Sequence, residues 1–311
     1  MVRNSILVPV FSVWMALAAQ GAQESWTKPI EALITSGDLA QARERLDQET
    51  AKRGETPAAV YLEARILFEQ RRYADALKTL EPALRTGNAG AELYKLAALS
   101  AIRLDRLDIA EPALKRAAQL APADYLVHFH LGALYYTQSL FQAAKSELEK
   151  AVELNASYMP ARLFLGLTLE EVGDEKTVVE NYRKAIELAA AGAAREVPYV
   201  YLGRYYYRLN RFAESLALLE KAVEINPRSG EAQLQRGKAL HAMHHDAEAV
   251  SALMLAAAAD VNNAEPHYLL FRIFESQNRV DEAQAELKRF QELNKEKPAA
   301  DPARRKVAGA R

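Results

Sequence analysis

Cysteine is absent from the 311 residues. Disulfides, thiolate metal ligands, a thiol nucleophile and lipid attachment through cysteine therefore have no residue to use. Glycine (13) and proline (12) are too few for a fold built of many short strands and hairpins. Neither sign of charge is in excess. The 40 Lys and Arg against 41 Asp and Glu give a formal net charge of −1 and a sequence pI near 6.6, so no global field draws the chain to nucleic acid or acidic lipid. The apolar run from Ile6 to Ala19, interrupted by Pro9, is shorter than the roughly 20 residues a membrane-spanning helix needs. No phosphate-cradling glycine loop, G-x-S-x-G elbow or HExxH motif occurs, so an enzyme has no recognisable catalytic constellation here.

What the chain does have is a period. Ala42, Ala76, Ala110, Ala144, Val178, Ser215, Ala249 and Ala283 follow one another at steps of 34 residues, except for one step of 37. Four residues after each stands a large side chain: Leu46, Leu80, Leu114, Leu148, Tyr182, Leu219, Leu253 and Leu287. The i, i+4 spacing puts small and large members on one helical face, where the small one permits close helix approach and the large one fills the gap. A second signature lies upstream in the first helix of a unit. Leu131-Gly132 is followed by Tyr135, Leu165-Gly166 by Leu169, and Leu202-Gly203 by Tyr206. Glycine inside a helix costs about 1 kcal/mol relative to alanine, so its return in one slot indicates crowding by a neighbouring helix. Each unit thus reads as a helical hairpin, and a non-repetitive bundle would not hold small and large residues in phase over this length.

These residues resemble the tetratricopeptide repeat family. The fullest match runs from Tyr125 to Tyr158, with Leu131, Gly132, Tyr135, Ala144, Leu148 and Ala151 in the motif slots, and the unit from Glu196 to Ser229 adds Ala222 and a closing Pro227. Seven units fill residues 57–297, preceded by a degenerate repeat over 23–56 that contributes Trp26 and Ala42. Glu175, Asp246 and Arg236 depart from the apolar residues usual at their slots. The resemblance implies an all-α, right-handed superhelical solenoid of antiparallel helix pairs, non-enzymatic and needing no cofactor.

The ends differ from the middle. Residues 1–21 open with Arg3, continue with the short apolar run and close on small residues, the order of a cleavable secretory signal peptide. An exported protein, periplasmic or secreted and without stable membrane insertion after cleavage, is the expectation. Residues 298–311, with Pro302, Arg304, Arg305 and Lys306, read as a disordered basic tail. The 37-residue step falls in 188–196, an Ala/Gly-rich stretch that reads as a longer second helix or a loop, with a hinge as the alternative. Phe271 and Phe290 stand where other units mostly carry Gly or Ala, so no further helix is expected against that face.

In this family the first helices line a concave groove, and adding 34 or 37 reads down it. One row is Arg65, Leu99, Ala133, Leu167, Arg204, Lys238 and Arg272; three residues on lie Phe68, Ile102, Tyr136, Glu170, Tyr207, His241 and Glu275. A third row, four residues before the first, is Tyr61, Lys95, Phe129, Leu163, Val200, Leu234 and Tyr268. Upstream these positions are apolar and aromatic, including Phe129 and Tyr136; downstream they gain Arg204, Arg208, Lys238 and Arg272 beside Tyr207, His241 and Tyr268. The expected partner is a protein or peptide with an apolar body and an acidic or carboxylate end, held during envelope assembly, secretion or export. Carboxylate-binding relatives use lysine with asparagine in these rows, and no asparagine appears here. The alternative is an accessory subunit for a polysaccharide or peptidoglycan strand, although Trp26 is the one tryptophan beyond the leader. His241, His244 and His245 flank a turn between helices and are read as partly exposed rather than as metal ligands.

Overall fold

The computed structural model describes residues 25–87, 89–173, 175–189 and 196–295. The leader, the basic tail and most of the 188–196 insertion lie outside the described residues. Those described form sixteen α-helices and no strand. In chain order they are α1 (Thr27–Ser36), α2 (Leu39–Arg53), α3 (Pro57–Glu69), α4 (Tyr73–Arg85), α5 (Ala91–Arg103), α6 (Leu107–Leu120), α7 (Tyr125–Thr137) and α8 (Phe141–Leu154). They continue as α9 (Met159–Val172), α10 (Glu175–Ala189), α11 (Val197–Arg208), α12 (Phe212–Ile225), α13 (Gly230–Ala242), α14 (Asp246–Ala259), α15 (Glu265–Ser276) and α16 (Val280–Lys295).

The eight periodic small residues fall on the even-numbered helices and are buried throughout, from Ala42 to Ala283. Their large partners are buried too, except Leu287 of α16, which is half-buried. The odd helix answers with glycine. A Cβ on Gly203 would lie 2.8 Å from Leu219 Cγ, and one on Gly237 would lie 2.7 Å from Leu253 Cγ. The glycine of α11 or α13 therefore admits the leucine of its partner helix, which explains why both return at one interval.

The turns inside the pairs also repeat. Arg71, Asp105, Ser139, Asn210, His244 and Asn278 all have φ between 57° and 62°. At Arg71 the amide of the next residue, Arg72, reaches back to the Leu67 carbonyl at 2.9 Å, and Arg211 to Tyr206 and His245 to Leu240 do the same. This six-to-one bond closes a helix around a left-handed residue and lets the next helix start two positions later. The α9–α10 turn differs, since Gly173 has φ −101°.

The chain forms two compact units, Met1–Leu134 and Tyr135–Arg311, with the division inside α7. In the first, Trp26, Ile30, Leu62, Ile66, Leu80 and Leu96 belong to one apolar core. Buried among the helices is Lys95, whose ammonium donates to Glu92 Oε1 at 2.9 Å and Asp124 Oδ2 at 2.7 Å. In the second unit α9 contacts α11, α11 contacts α13 and α13 contacts α15, so their equivalent residues align across a shared face.

One of the three rows is placed differently from the expectation. Tyr61, Lys95, Phe129, Leu163, Val200 and Leu234 are all buried and present no groove surface; Phe129, expected to line the groove, is 5% exposed. The seventh member, Tyr268, is 38% exposed. Lys95 reaches Asp124 ahead of α7, and Val200 clusters with Ala232 of α13, whereas no described helix follows α16. Tyr268 instead packs its ring 5.2 Å from Phe290 and 6.3 Å from Phe271.

A candidate partner-binding face on the second unit

On the face shared by the odd helices of the second unit, α9 contributes Glu170, α11 contributes Arg204, Tyr207 and Arg208, α13 contributes Lys238 and His241, and α15 contributes Tyr268 and Arg272. Tyr136, at the end of α7, is half-buried against Phe141 and Phe164. Phe129 belongs to the other unit.

The centre is organised by a residue that sequence reasoning left in the core. Tyr182 of α10 occupies the slot that holds leucine in every other unit. A Cβ on Gly166 would lie 2.6 Å from its ring, so the glycine is what lets the longer side chain pass under α9. Tyr182 then donates its hydroxyl to Glu170 Oε1, while Arg208 donates to Glu170 Oε2. The Glu170 side chain is 3% exposed and that of Arg208 is 52% exposed, so a buried carboxylate engages a surface guanidinium from below. Burial pushes the Glu170 carboxyl up, opposed by the Tyr182 hydrogen bond and by Arg204 and Arg208. Burial also raises Tyr136, Tyr201 and Tyr182, keeping the three phenols neutral and able to donate.

Arg204 lies within electrostatic reach of Glu170 but, unlike Arg208, makes no hydrogen bond to it. Its guanidinium lies 4.7 Å from the centroid of the Tyr201 ring, which itself stacks on Tyr182 at 6.2 Å with 19° between planes. Among the described residues Arg204 forms no ion pair with a carboxylate, whereas Arg208 pairs with Glu170 and Lys238 donates to Glu265 Oε1 at 2.9 Å. A flat guanidinium held on an aromatic ring is pre-positioned to take an anion with little further ordering.

Further along, Lys238 also lies 5.7 Å from the Tyr207 ring, and Tyr207 packs on Phe212. His241 Nδ1 is 2.6 Å from Asp246 Oδ1, so this ring is tied to the start of α14. Arg272 donates to the Tyr268 hydroxyl at 3.3 Å and remains exposed. The structure thus gathers Arg204, Tyr207, Arg208, Lys238, His241, Tyr268 and Arg272 on one face but engages Arg208, Lys238 and His241 with internal carboxylates. Glu170 falls in a row the sequence aligns, but its role does not follow from the row; Tyr182 and Tyr201 are the members that sequence reasoning missed. The signal was a tyrosine among leucines, since a buried hydroxyl requires a partner. Trp26 is buried in the first unit with Arg53 5.7 Å from its ring, and it offers no stacking platform. Among the described residues, no group of three or more His, Asp or Glu side chains could hold a metal ion, and no helix is long and apolar enough to cross a membrane.

Paired helices that repeat every 34 residues and align side chains along one face define a helical-repeat interaction scaffold. Tetratricopeptide repeat models match residues 30–91, 95–158 and 198–229, together about half of the chain, and the protein belongs to the tetratricopeptide repeat family. Anaphase-promoting complex subunit 3 of Schizosaccharomyces pombe is 24% identical over 167 residues, which cover 53% of this chain and 24% of that protein. The chain therefore spans about a quarter of the length of this curated relative. Among solved structures, the Cut9-Hcn1 hetero-tetramer of the APC/C has a TM-score of 0.64 at 15% identity, over 78% of this chain and 48% of that one. A tetratricopeptide repeat protein from Parabacteroides merdae has a TM-score of 0.60 at 18% identity, over 81% and 98% of the two chains. Pseudomonas aeruginosa pilF has 0.57 at 18% identity, over 67% and 97%. At these identities the likeness is one of fold.

Proposed function

We propose that the protein is a non-enzymatic scaffold that holds an extended segment of a partner protein along the odd-helix face of its second unit. The observation carrying this reading is Arg204, a cation stacked on Tyr201, close to Tyr136 and in no ion pair among the described residues, with Tyr207 on the same helix. Arginine with aromatic rings is the usual source of interface energy, and neutral phenols add donors beside the cation. Exposed ion pairs are worth about 0 to 1 kcal/mol each, so Arg204 and Arg272 set affinity together with the aromatic area rather than alone.

The test compares two charge-reversed proteins against a partner captured from extract by the unaltered chain. Arg204→Glu with Arg272→Glu is expected to weaken capture and remove its salt dependence. Reversal of Lys145, Lys150 and Lys221 on the even helices is expected to leave both unchanged. Loss of capture in the even-helix variant alone would place the partner elsewhere.

We further propose that the chain is exported and acts in envelope assembly, secretion or export. The support is the order of Arg3, apolar run and small residues over 1–21. Intact mass of the native protein is expected to show a chain beginning after the zone from Ala18 to Ala22. Full-length protein recovered from the cytoplasm would overturn this.

A further inference from the structure

Two arginines one helical turn apart on α11 ordinarily make a doubly positive site, suited to an acidic run. Here one of them is answered from within. Glu170 comes up from α9, fixed by the Tyr182 hydroxyl on one oxygen, and holds Arg208 with the other. We propose that Glu170 is a specificity-determining residue of this face: it occupies Arg208 and leaves Arg204 as the anion anchor, so that the face accepts a segment with one isolated acidic side chain among apolar and aromatic ones and rejects an acidic run. This inference rests on the reading of the odd-helix face as the partner site.

The surrounding charges support a single acceptor. An extended segment places side chains of the same side roughly 7 Å apart. A carboxylate on Arg204 would therefore have its neighbours over adjoining helices, where the other ionisable groups are acidic or already paired. On α9 these are Glu170 and the exposed Glu171, both of which act on Tyr136. On α13 the charge of Glu231 reaches Tyr201 while its Oε1 accepts from Gln235, and Lys238 is held by Glu265 of α15. Tyr136, Tyr201 and Tyr207 supply ring surface between these charges. A second and third carboxylate would meet like charge, while apolar or aromatic side chains would meet rings. The geometry that produces this is specific to one unit. It requires Gly166 so that Tyr182 fits, Tyr182 so that Glu170 is fixed, and Glu170 within reach of Arg208.

The test uses three fluorescein-labelled twelve-residue peptides: one of Leu, Tyr and Ser with a single central Asp, the same peptide with Asn, and one with six consecutive Glu. The unaltered protein is expected to bind the single-Asp peptide about tenfold more tightly than the Asn peptide, the scale of one charge-assisted hydrogen bond, and to bind the Glu peptide most weakly. Glu170→Gln, which opens Arg208, is expected to bring the Glu peptide to parity with the single-Asp peptide or beyond it. Arg204→Gln is expected to abolish the Asp-over-Asn preference, and Arg208→Gln to change it less than twofold. The Arg204 and Arg208 variants carry the test if Glu170→Gln fails to fold by thermal unfolding. An Asp preference that survives Arg204→Gln, or no binding of any peptide, overturns the reading of the face itself. A preference that depends on Arg204 but whose ranking is unmoved by Glu170→Gln, or one lost equally in Arg208→Gln, overturns the role of Glu170 alone.

Discussion

Arg71, Asp105, Ser139, Asn210, His244 and Asn278 all take the left-handed conformation, which side chains with a Cβ adopt at a cost. Asn and Asp tolerate it best, so Arg71, Ser139 and His244, all exposed, are the places where the turn stores strain. Ser139→Gly and His244→Gly are each expected to stabilise the protein by about 0.5–1 kcal/mol, read as a raised urea midpoint. His130 gives a residue-scale dependence on pH. Burial and the nearby Lys95 ammonium push its imidazole down from 6.5 to about 4. The unfolded chain therefore takes up a proton that the folded chain refuses, and stability present above pH 6.5 is lost as pH falls toward 4. Between pH 7 and 5 the unaltered protein is expected to lose about 1–2 kcal/mol more than His130→Gln, from urea unfolding at the two pH values. Neither feature was legible beforehand. The turn residues share no side-chain chemistry, and the surroundings of His130 are assembled from α5 and the segment leading into α7.

At the scale of the element, helix pairs were legible because the small-large spacing is local and each pair closes within 34 residues. The row of Tyr61, Lys95 and Phe129 was not, because whether that slot is open depends on the next pair rather than on its own helix. The site was legible in part for the same reason. Charges at Arg204, Arg208 and Lys238 could be aligned by counting, but their consumption by Glu170 and Glu265 depends on which helices meet. Close approach within a pair is testable. Gly203→Ala would set a methyl 2.8 Å from the Cγ of Leu219, a buried side chain with nowhere to withdraw. The expected cost is about 1–3 kcal/mol, and Gly237→Ala against Leu253 is expected to match it, both by chemical denaturation. Gly230→Ala is the milder control, since its added methyl would meet the Ala259 Cβ at 3.0 Å at a helix end.

For the molecule as a whole, packing between sequence neighbours means that damage stays near its source. Ala144 is fully buried on α8, and Ala144→Asp would place a charge at a tight helix contact, costing several kcal/mol. Hydrogen exchange is expected to show lost protection over α8, α9 and α10, with α15 and α16 little changed. Uniform loss across the described residues would mean one cooperative core instead.

The α15–α16 pair also limits how such a chain can lengthen by tandem duplication. A copied α13–α14 brings Gly237 for its own leucine and Ala256 for the pair that follows, so it can be inserted between existing pairs. A copied α15–α16 brings Phe290 in the slot of Ala256, and an upstream copy would present a benzyl group where the following pair must seat. Growth by duplication therefore favours copies of the pairs before α15, and a longer descendant or engineered array would keep α15–α16 behind the copied pairs.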